Sequence, residues 1–341
     1  MMKTEYAENV GFLQRDSVEH EEYAEACSTE SLEVNRKDGA DLLEKVLSRD
    51  NLNKAYKRVK ANKGASGVDG MSVEEALPWL KEHRNELLES IRNGKYKPSL
   101  VRRVEIPKDN GGVRKLGIPT VIDRIIQQAI AQVLIPIYEP KFFDGSYGYR
   151  PHRSAKDTIL KVKEYADEGY KYAVCLDLSK YFDMINHELL MNMLREDIKD
   201  KRLMDLIKKY LKSGVMENGI VMKTKEGSPQ GGNLSPLLAN IYLDKFDKEF
   251  EDRGVKVIRY ADDILLLAKS MRAAERLLGT STGYLEKKLK LKVNTEKSRA
   301  VSVYSIRNFG FLALLWEGTE RVHISEFTQS RRRKPKINCE N

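Results

Sequence analysis

The chain has 341 residues, which is long enough for two or three packed subdomains around a sizeable core. Hydrophobic residues make up 41% and charged residues 33%, which is typical of a globular protein and not of a disordered or membrane-embedded chain. The longest central apolar run, 264–268, is too short to span a bilayer, and the N-terminus lacks a secretory signal pattern. Three scattered cysteines form neither a metal cluster nor a disulfide framework, so a cytoplasmic setting without a membrane partner is expected.

The net charge of +9 is unevenly distributed along the chain. Residues 1–50 hold 13 acidic and 6 basic side chains and sum to −7, so the remaining residues carry +16. Lys and Arg in such numbers favour binding to a phosphate backbone, because they displace condensed counterions. A basic protein without a specific nucleic-acid partner is the alternative.

Residues 1–40 are acidic and poor in large apolar side chains, which predicts a flexible extension. From residue 41 onward, hydrophobic periodicity and turn residues predict regular elements. In chain order these are helical stretches at 42–47 and 52–59, a glycine-rich loop at 62–70, a helix capped by Ser72 and Glu75 that ends near Arg92, a hairpin at 101–118, a helix at 122–138, a buried strand at 170–178, helices at 187–212 and 233–252, a strand–turn–strand unit at 255–268 and a helix at 271–290. Helices interleaved with buried strands indicate an α+β fold.

Two adjacent aspartates, Asp262 and Asp263, interrupt the apolar segment 257–267. Two like charges in a site of low dielectric raise each other's pKa and resist ionisation, whereas a bound divalent cation favours both in the charged form. An exposed hairpin turn, in which the two aspartates are simply polar, is the alternative.

A second apolar strand ends at another aspartate, Asp177. One aspartate on a strand and a pair on a hairpin can converge on two magnesium ions. Such ions lower the pKa of an attacking 3′-hydroxyl and neutralise a leaving pyrophosphate. Magnesium prefers oxygen ligands and keeps several waters, so a few carboxylates are sufficient, with Mn²⁺ as a substitute.

The segment Tyr260–Asp263 resembles the active-site box of reverse transcriptases, and Val174–Asp183 is similar to the motif that holds their first catalytic aspartate. The alanine in the box points to the group II intron-encoded reverse transcriptases, or maturases. Further stretches that fit this family are 62–70, 103–120, 145–155 and 227–244. The resemblance covers about residues 41–312 in the family's order. It implies a right-hand polymerase fold with fingers and an antiparallel palm sheet with packed helices.

The resemblance also implies roles for single residues. The catalytic, metal-binding carboxylates are Asp177, Asp262 and Asp263. The nucleotide-binding residues are Lys108, Arg114, Phe182, Gln230 and Lys297, with Phe182 as an aromatic gate beneath the incoming sugar. The template-binding residues are Arg124, Gln127, Arg150 and Arg153, and Gln128 lies on the same predicted polar strip. A core phenylalanine, a solvated turn and a solvated helix face are the alternatives for Phe182, Lys108 and Arg124, respectively.

The family's order places the fingers at 41–170, with part of 195–230 as a further candidate, and the palm at 171–315. The motif at 308–312 resembles the last palm motif, but the basic tail at 316–341 does not resemble the thumb that follows in the family. We therefore expect a chain truncated after the palm, with the thumb missing. Sequencing the DNA downstream of residue 312 tests this expectation, because thumb-like coding sequence in another frame would indicate a frameshift.

The expected activity is addition of deoxynucleotides to a DNA primer on an RNA template, associated with splicing and mobility of a group II intron. The implied partners are the RNA template, the intron RNA, a DNA primer or target and deoxynucleoside triphosphates, while the oligomeric state stays open. One alternative is an RNA-binding splicing cofactor with weak or no polymerase activity. Another is a reverse transcriptase of the retron or defence type.

Overall fold

The structure is a computed structural model that describes residues 41–107, 113–217, 219–222, 226–228 and 231–304. Several features predicted from the sequence lie outside these residues: the extension at 1–40, Lys108, Gln230, the motif at 308–312 and the tail at 316–341. The side chain of Arg114 is also outside the described part of the structure.

The described residues form ten α-helices, one 3₁₀ turn and eight strands. The helices are α1 (Leu42–Val46), α2 (Arg49–Ala61), α3 (Ala76–Arg92), α4 (Val121–Tyr138), α5 (Ala155–Asp167), α6 (Tyr181–Met184), α7 (His187–Asp197), α8 (Lys201–Leu211), α9 (Ser235–Asp252) and α10 (Met271–Lys287), with the 3₁₀ turn at Glu139–Lys141. The strands are β1 (Val101–Pro107), β2 (Val113–Ile118), β3 (Tyr172–Leu176), β4 (Val215–Glu217), β5 (Ile220–Met222), β6 (Lys256–Tyr260), β7 (Asp263–Ala268) and β8 (Arg299–Ser302). The predicted α+β class is confirmed.

A four-stranded antiparallel sheet, the central sheet, has the order β6-β7-β3-β8. Its inner strands are buried on both faces, which explains their continuous apolar sequences. Val174 and Leu266 belong to the large core that includes α9 and α10, whereas Cys175 and Leu265 belong to a smaller core that includes α5. Alternate residues therefore anchor the sheet to helices on opposite sides, which fixes its register.

A second four-stranded sheet, the hairpin sheet, has the order β2-β1-β4-β5. The predicted hairpin at 101–118 is confirmed, since Arg102 pairs with Ile118 and Pro107 with Val113 in antiparallel register. β4 joins this hairpin in parallel, with Val101 opposite Val215. Strands β4 and β5 thus belong to the same sheet as the hairpin, although Val215 lies 114 positions after its partner Val101.

The helical segment predicted at 187–212 is present as two helices, α7 and α8, with a break between them that the sequence pattern did not indicate. Ile198 leaves the helical conformation, and Asp200 caps α8 by accepting hydrogen bonds from the backbone N–H groups of Arg202 and Leu203. The same carboxylate accepts a bond of 2.8 Å from the N–H of Leu43. The break therefore lets one buried aspartate cap a helix and tie it to the first turn of the fold.

Ser72 and Glu75 exchange hydrogen bonds as predicted: the N–H of Ser72 donates to Glu75, and the N–H of Glu75 donates to the hydroxyl of Ser72. The prediction that they cap the third helix is wrong, because α3 begins at Ala76 without a side-chain capping bond and the pair closes the turn before it. Among the helices of the described residues, none combines the length and apolarity that crossing a bilayer requires.

Candidate active site

The strand pairing of the central sheet brings the two aspartate segments together. Leu176, the last residue of β3, pairs with Ile264 of β7, so the next residues along the register are Asp177 and Asp263. Asp263 also pairs with Tyr260 across the β6–β7 hairpin, which leaves Ala261 and Asp262 as its two-residue turn. The three predicted carboxylates therefore lie at the same end of the central sheet, where β3 ends and β7 begins.

The charges of these carboxylates act on one another. Burial, together with the neighbouring Asp262 and Asp177, raises the pKa of Asp263 to about 8, while Lys297 opposes the shift. The Nζ of Lys297 lies 3.7 Å from an oxygen of Asp177, with the two side chains 63% and 38% exposed. A half-buried acidic group beside two other carboxylates is the setting in which a divalent cation favours ionisation.

The donor set of this site fits a hard cation, because carboxylate oxygens on partly exposed side chains leave room for water ligands. As the side chains stand, no group of three or more His, Cys, Asp or Glu residues within the described residues is arranged to hold a metal ion. The site thus has carboxylate oxygens at one end of the central sheet, and a bound cation would offset the repulsion between their negative charges.

The backbone of Asp177 is held by the segment that leads into β8. Its N–H donates to the hydroxyl of Ser298 at 3.0 Å, and its carbonyl accepts from the N–H of Asn294 at 2.9 Å. Leu178 bridges to Val293 in the same segment. This pairing continues the backbone pairing beyond the end of β3 and places Lys297 beside the carboxylates.

Phe182 lies on the short helix α6, five residues after Asp177, and is 9% exposed. Its ring meets the ring of Tyr149 edge-on, with the centroids 6.3 Å apart, and packs against Tyr181 at 5.4 Å. The ring is therefore fixed between two aromatic neighbours, on a helix that begins four residues after the catalytic aspartate candidate.

The loop after β5 is hydrogen-bonded to the backbone of Phe182 and of Ile185. The N–H of Ser228 donates to the carbonyl of Phe182 at 2.7 Å, and the N–H of Gly227 donates to that of Ile185 at 2.8 Å. Gly227 has a φ of 90°, and a Cβ there would lie 2.8 Å from the carbonyl oxygen of Asp183. A glycine is therefore required at position 227 for this close approach to the backbone of Asp183.

The template-contact role predicted for Arg150 is contradicted by its burial. Arg150 is 2% exposed, and its guanidinium donates five hydrogen bonds: to the carboxylate and carbonyl of Glu139 and to the carbonyls of Phe143 and Ser146. All five N–H groups of the side chain are thus used inside the protein. Arg150 anchors the loop that follows α4, and it has no donor left for a nucleic acid.

The other predicted template residues differ in accessibility. Arg124 is 8% exposed and donates to the carbonyl of Ala65 at 2.8 Å, and burial lowers the pKa of its guanidinium. Gln127 and Gln128 are also buried, and Gln128 accepts from Asn233 at 3.1 Å. These contacts tie α4 to the 62–70 loop and to the start of α9.

Arg153 is half-buried, with its side chain 24% exposed. Its guanidinium donates to the carboxylate of Asp144 at 2.8 Å and lies over the ring of Tyr147, 5.5 Å from the centroid. Unlike Arg150, it keeps part of its surface open to solvent.

Sequence reasoning missed a buried charge network behind the active-site turn. Arg259 and Asp247 are both fully buried and form an ion pair of 2.7 Å, and the buried Asn240 adjoins them. The signal was an arginine inside the apolar strand sequence of β6, where a charge requires a partner. Sequence reasoning also missed Arg103 of β1, which lies 3.0 Å from Asp183 and links the hairpin sheet to α6.

Comparison with known proteins identifies the family. A model of the family described as "Reverse transcriptase (RNA-dependent DNA polymerase)" matches residues 106–320. Protein YkfC of Escherichia coli (strain K12) is 34% identical over 329 residues, covering 85% of this chain and 84% of YkfC. Group II intron-encoded protein LtrA of Lactococcus lactis subsp. cremoris is 43% identical over 195 residues, covering 57% of this chain and 32% of LtrA.

Among solved structures, a partial Cas6-RT-Cas1–Cas2 complex aligns with a TM-score of 0.45 and 23% identity, covering 72% of this chain and 42% of that chain. The match to LtrA spans about a third of that protein's length. The family model covers more than half of this chain and includes both aspartate segments. The chain therefore belongs to the reverse transcriptase (RNA-dependent DNA polymerase) family, and its similarity to LtrA confirms the predicted relationship to the group II intron-encoded members.

Proposed function

We propose that this chain extends a DNA primer on an RNA template by a two-metal mechanism, with Asp177, Asp262 and Asp263 as its carboxylates. The observation that carries the proposal is the register of the central sheet, which sets Asp177 beside the Asp262–Asp263 turn. The mutual effect of the three charges on the pKa of Asp263 supports it. The group II intron association rests on the similarity to LtrA.

In the proposed mechanism, Asp177 and Asp262 would hold both cations and Asp263 would support the site. When bound, Mg²⁺ ions would supply a lowered pKa for the primer 3′-hydroxyl and neutralisation of the triphosphate charge, and Mn²⁺ is the proposed substitute. Asp263 would then stay ionised at neutral pH, because a nearby cation offsets the repulsion from the other two carboxylates.

Primer extension on poly(rA)/oligo(dT), comparing the chain with Asp262→Ala, tests the proposed function. We expect incorporation of dTMP by the unmodified chain and its loss in the variant. Equal incorporation by both proteins would exclude the proposed site. RNA binding that persists without any extension in either protein would favour the splicing-cofactor alternative.

We further propose a nucleotide pocket formed by Lys108, Arg114, Phe182, Gln230 and Lys297. The position of Lys297, 3.7 Å from Asp177, supports a contact between this lysine and the nucleotide phosphates. Lys297→Ala is therefore expected to raise the KM for the deoxynucleotide more than it lowers kcat, as measured in the same extension assay. An unchanged KM would remove Lys297 from the pocket.

Phe182 is proposed to exclude the 2′-hydroxyl of a ribonucleotide by its shape. Phe182→Ala is expected to increase ribonucleotide incorporation relative to deoxynucleotide incorporation by up to about a hundredfold, the range in which a pocket rejects an added hydroxyl. The ratio of kcat/KM values for the two substrates measures this. Tyr181→Phe is the control and should leave the discrimination unchanged. The Tyr181 hydroxyl that it removes donates to the buried carbonyl of Ala239 and not to a nucleotide in the proposed pocket. Unchanged discrimination in Phe182→Ala would assign Phe182 to the core alone.

A template track is proposed along Arg124, Gln127 and Arg153, with the RNA contacted through its backbone. The solvent exposure of Arg153 supports a phosphate contact for this residue. Arg153→Gln is expected to weaken RNA binding and to reduce its salt dependence, as measured by fluorescence anisotropy at several salt concentrations. An identical salt dependence would exclude Arg153 from the track.

A further inference from the structure

The active-site turn is attached to a buried ion pair behind the sheet. Arg259 of β6 and Asp247 of α9 are both 0% exposed. The Nε of Arg259 donates to both carboxylate oxygens of Asp247, at 3.1 and 2.8 Å, and Nη2 lies 2.7 Å from one of them. The remaining terminal nitrogen, Nη1, donates to the carbonyl of Ala261 at 2.8 Å. One guanidinium therefore connects helix α9 to the residue that precedes Asp262.

Asn240, which lies on the same face of α9 seven residues before Asp247, completes the attachment. Its side-chain oxygen accepts from Nη1 of Arg259 at 2.8 Å, and its side-chain nitrogen donates to the carbonyl of Gly148 at 2.9 Å. The backbone of Gly148 lies directly against the turn, since a Cβ on it would be 2.2 Å from the backbone nitrogen of Ala261. The turn is thus enclosed between the 145–148 loop and the guanidinium.

The backbone of Arg259 is fixed as well as its side chain. Its N–H donates to the carbonyl of Gly145 and its carbonyl accepts from the N–H of Tyr147, both at 2.8 Å. These bonds hold β6 to the 145–148 loop on the side away from β7. The guanidinium therefore projects from an anchored backbone towards a defined point of the turn.

A buried ion pair of this kind is a poor choice for stability alone, because apolar residues of similar volume often serve as well or better. An apolar pair could not donate to the carbonyl of Ala261. That residue has a φ of 56°, the left-handed region that residues with a Cβ rarely adopt, so its peptide requires support from its surroundings. The donor to its carbonyl supplies this support.

We propose that Arg259, held by Asp247 and Asn240, is a positioning residue that fixes the Ala261 peptide and thereby the orientation of the Asp262 and Asp263 carboxylates. Arg259 contacts no substrate; it acts through the turn. The proposal rests on the proposed function, since the oriented carboxylates are the proposed metal ligands. Groups behind metal ligands commonly govern cation affinity and activity in this way.

The test replaces the ion pair with an apolar pair, Arg259→Met with Asp247→Leu, so that no buried charge is left without a partner. The matched control makes the same kinds of change in an exposed pair on the same helix, Arg253→Met with Glu249→Leu. Each protein is examined for thermal unfolding, for the Mg²⁺ concentration at half-maximal thermal stabilisation and for primer extension.

For the buried double variant we expect folding to be retained, kcat to fall about 10–100-fold and the half-saturating Mg²⁺ concentration to rise by a similar factor. The control is expected to match the unmodified chain. A folded buried variant with unchanged Mg²⁺ dependence and unchanged kcat would overturn the proposal. If Asp262→Ala is inactive while this variant is fully active, the positioning role fails and the proposed function stands.

Arg259→Lys provides a second variant that keeps the charge beside Asp247. A lysine ammonium lacks the planar fork, so it cannot serve Asp247, Asn240 and the Ala261 carbonyl together. We expect a weaker Mg²⁺ response and a lower kcat with an unchanged unfolding transition. An unaltered Mg²⁺ response in this variant, or failure of both variants to fold, would assign the network to stability and overturn the positioning role.

Discussion

Replacing Asp177 by asparagine is expected to abolish RNA-templated primer extension while leaving the fold intact. The substitution keeps the size of the side chain and removes its charge, at a position that is 38% exposed and carries no buried ion pair. Loss of one of the carboxylates proposed to hold the cations should lower kcat on the order of a thousandfold, equivalent to about 4 kcal/mol of transition-state stabilisation. Single-turnover extension of a labelled primer at saturating deoxynucleotide measures this loss.

The matched control is Asp167→Asn, an exposed aspartate at the end of α5, which should extend primers at the unmodified rate. Thermal unfolding of both variants separates loss of function from loss of structure. Extension by Asp177→Asn within tenfold of the unmodified chain would contradict a role of this carboxylate in catalysis, whatever the result for Asp262→Ala.

The same variant distinguishes polymerase activity from RNA binding. The substitution removes no basic side chain that could contact the phosphate backbone, so RNA affinity should be retained in Asp177→Asn. Gel-shift titration with a structured RNA measures this affinity. A fall in RNA binding parallel to the fall in extension would point to a damaged fold, since removal of a negative charge alone favours binding of a polyanion.

The sequence was most informative about secondary structure where apolar residues form a short, regular pattern along the chain. The apolar run that ends at Asp177 and the one that contains Asp263 could be recognised as buried strands, and a buried strand that carries a charge suggests a site. The direct proximity of Asp177 and Asp263 depends on the register of β3 against β7, which the sequence does not specify. Only the strand pairing shows that these two residues are neighbours.

Long-range polar contacts explain where the sequence misled. The apolar pattern at 187–212 is helical throughout, whereas the structure has a break in which Asp200 caps α8 and accepts a bond from Leu43, a residue 157 positions away. The family resemblance likewise implied template contacts for both Arg150 and Arg153, yet Arg150 is enclosed by carbonyls that only the folded loop brings together, while Arg153 stays partly exposed. Local composition carries no information about such partners.

Arg259 illustrates the same limit in the central sheet. The charge in the middle of β6 indicated that a partner must exist, but α9 is amphipathic with several acidic residues, and the sequence does not identify Asp247 among them. The turn between β6 and β7, by contrast, could be located from the aspartate pair within its apolar segment. The position of this turn could thus be predicted, and the partners of Arg259 could not.

Stability is expected to depend on pH through Asp263, and Mg²⁺ is expected to change that dependence. The pKa of Asp263 in the folded protein is raised to about 8 by burial and by the two neighbouring carboxylates, whereas an unfolded aspartate titrates near pH 4. Between these values the folded state binds the proton and the unfolded state does not. Ionisation of this group therefore disfavours the folded state, so its contribution to stability falls as pH rises from about 4 to about 8.

A bound cation favours the ionised carboxylate and offsets this loss. The increase in Tm caused by Mg²⁺ should therefore be larger at about pH 8.5 than at about pH 6.5, because protons compete with the cation at the lower pH. In Asp263→Asn the Mg²⁺-induced increase should be smaller and should depend less on pH, whereas Asp252→Asn, at the exposed end of α9, should behave like the unmodified chain. Differential scanning fluorimetry at both pH values measures these shifts. A Mg²⁺ response in Asp263→Asn with the same size and pH dependence as in the unmodified chain would show that this carboxylate is not coupled to the cation.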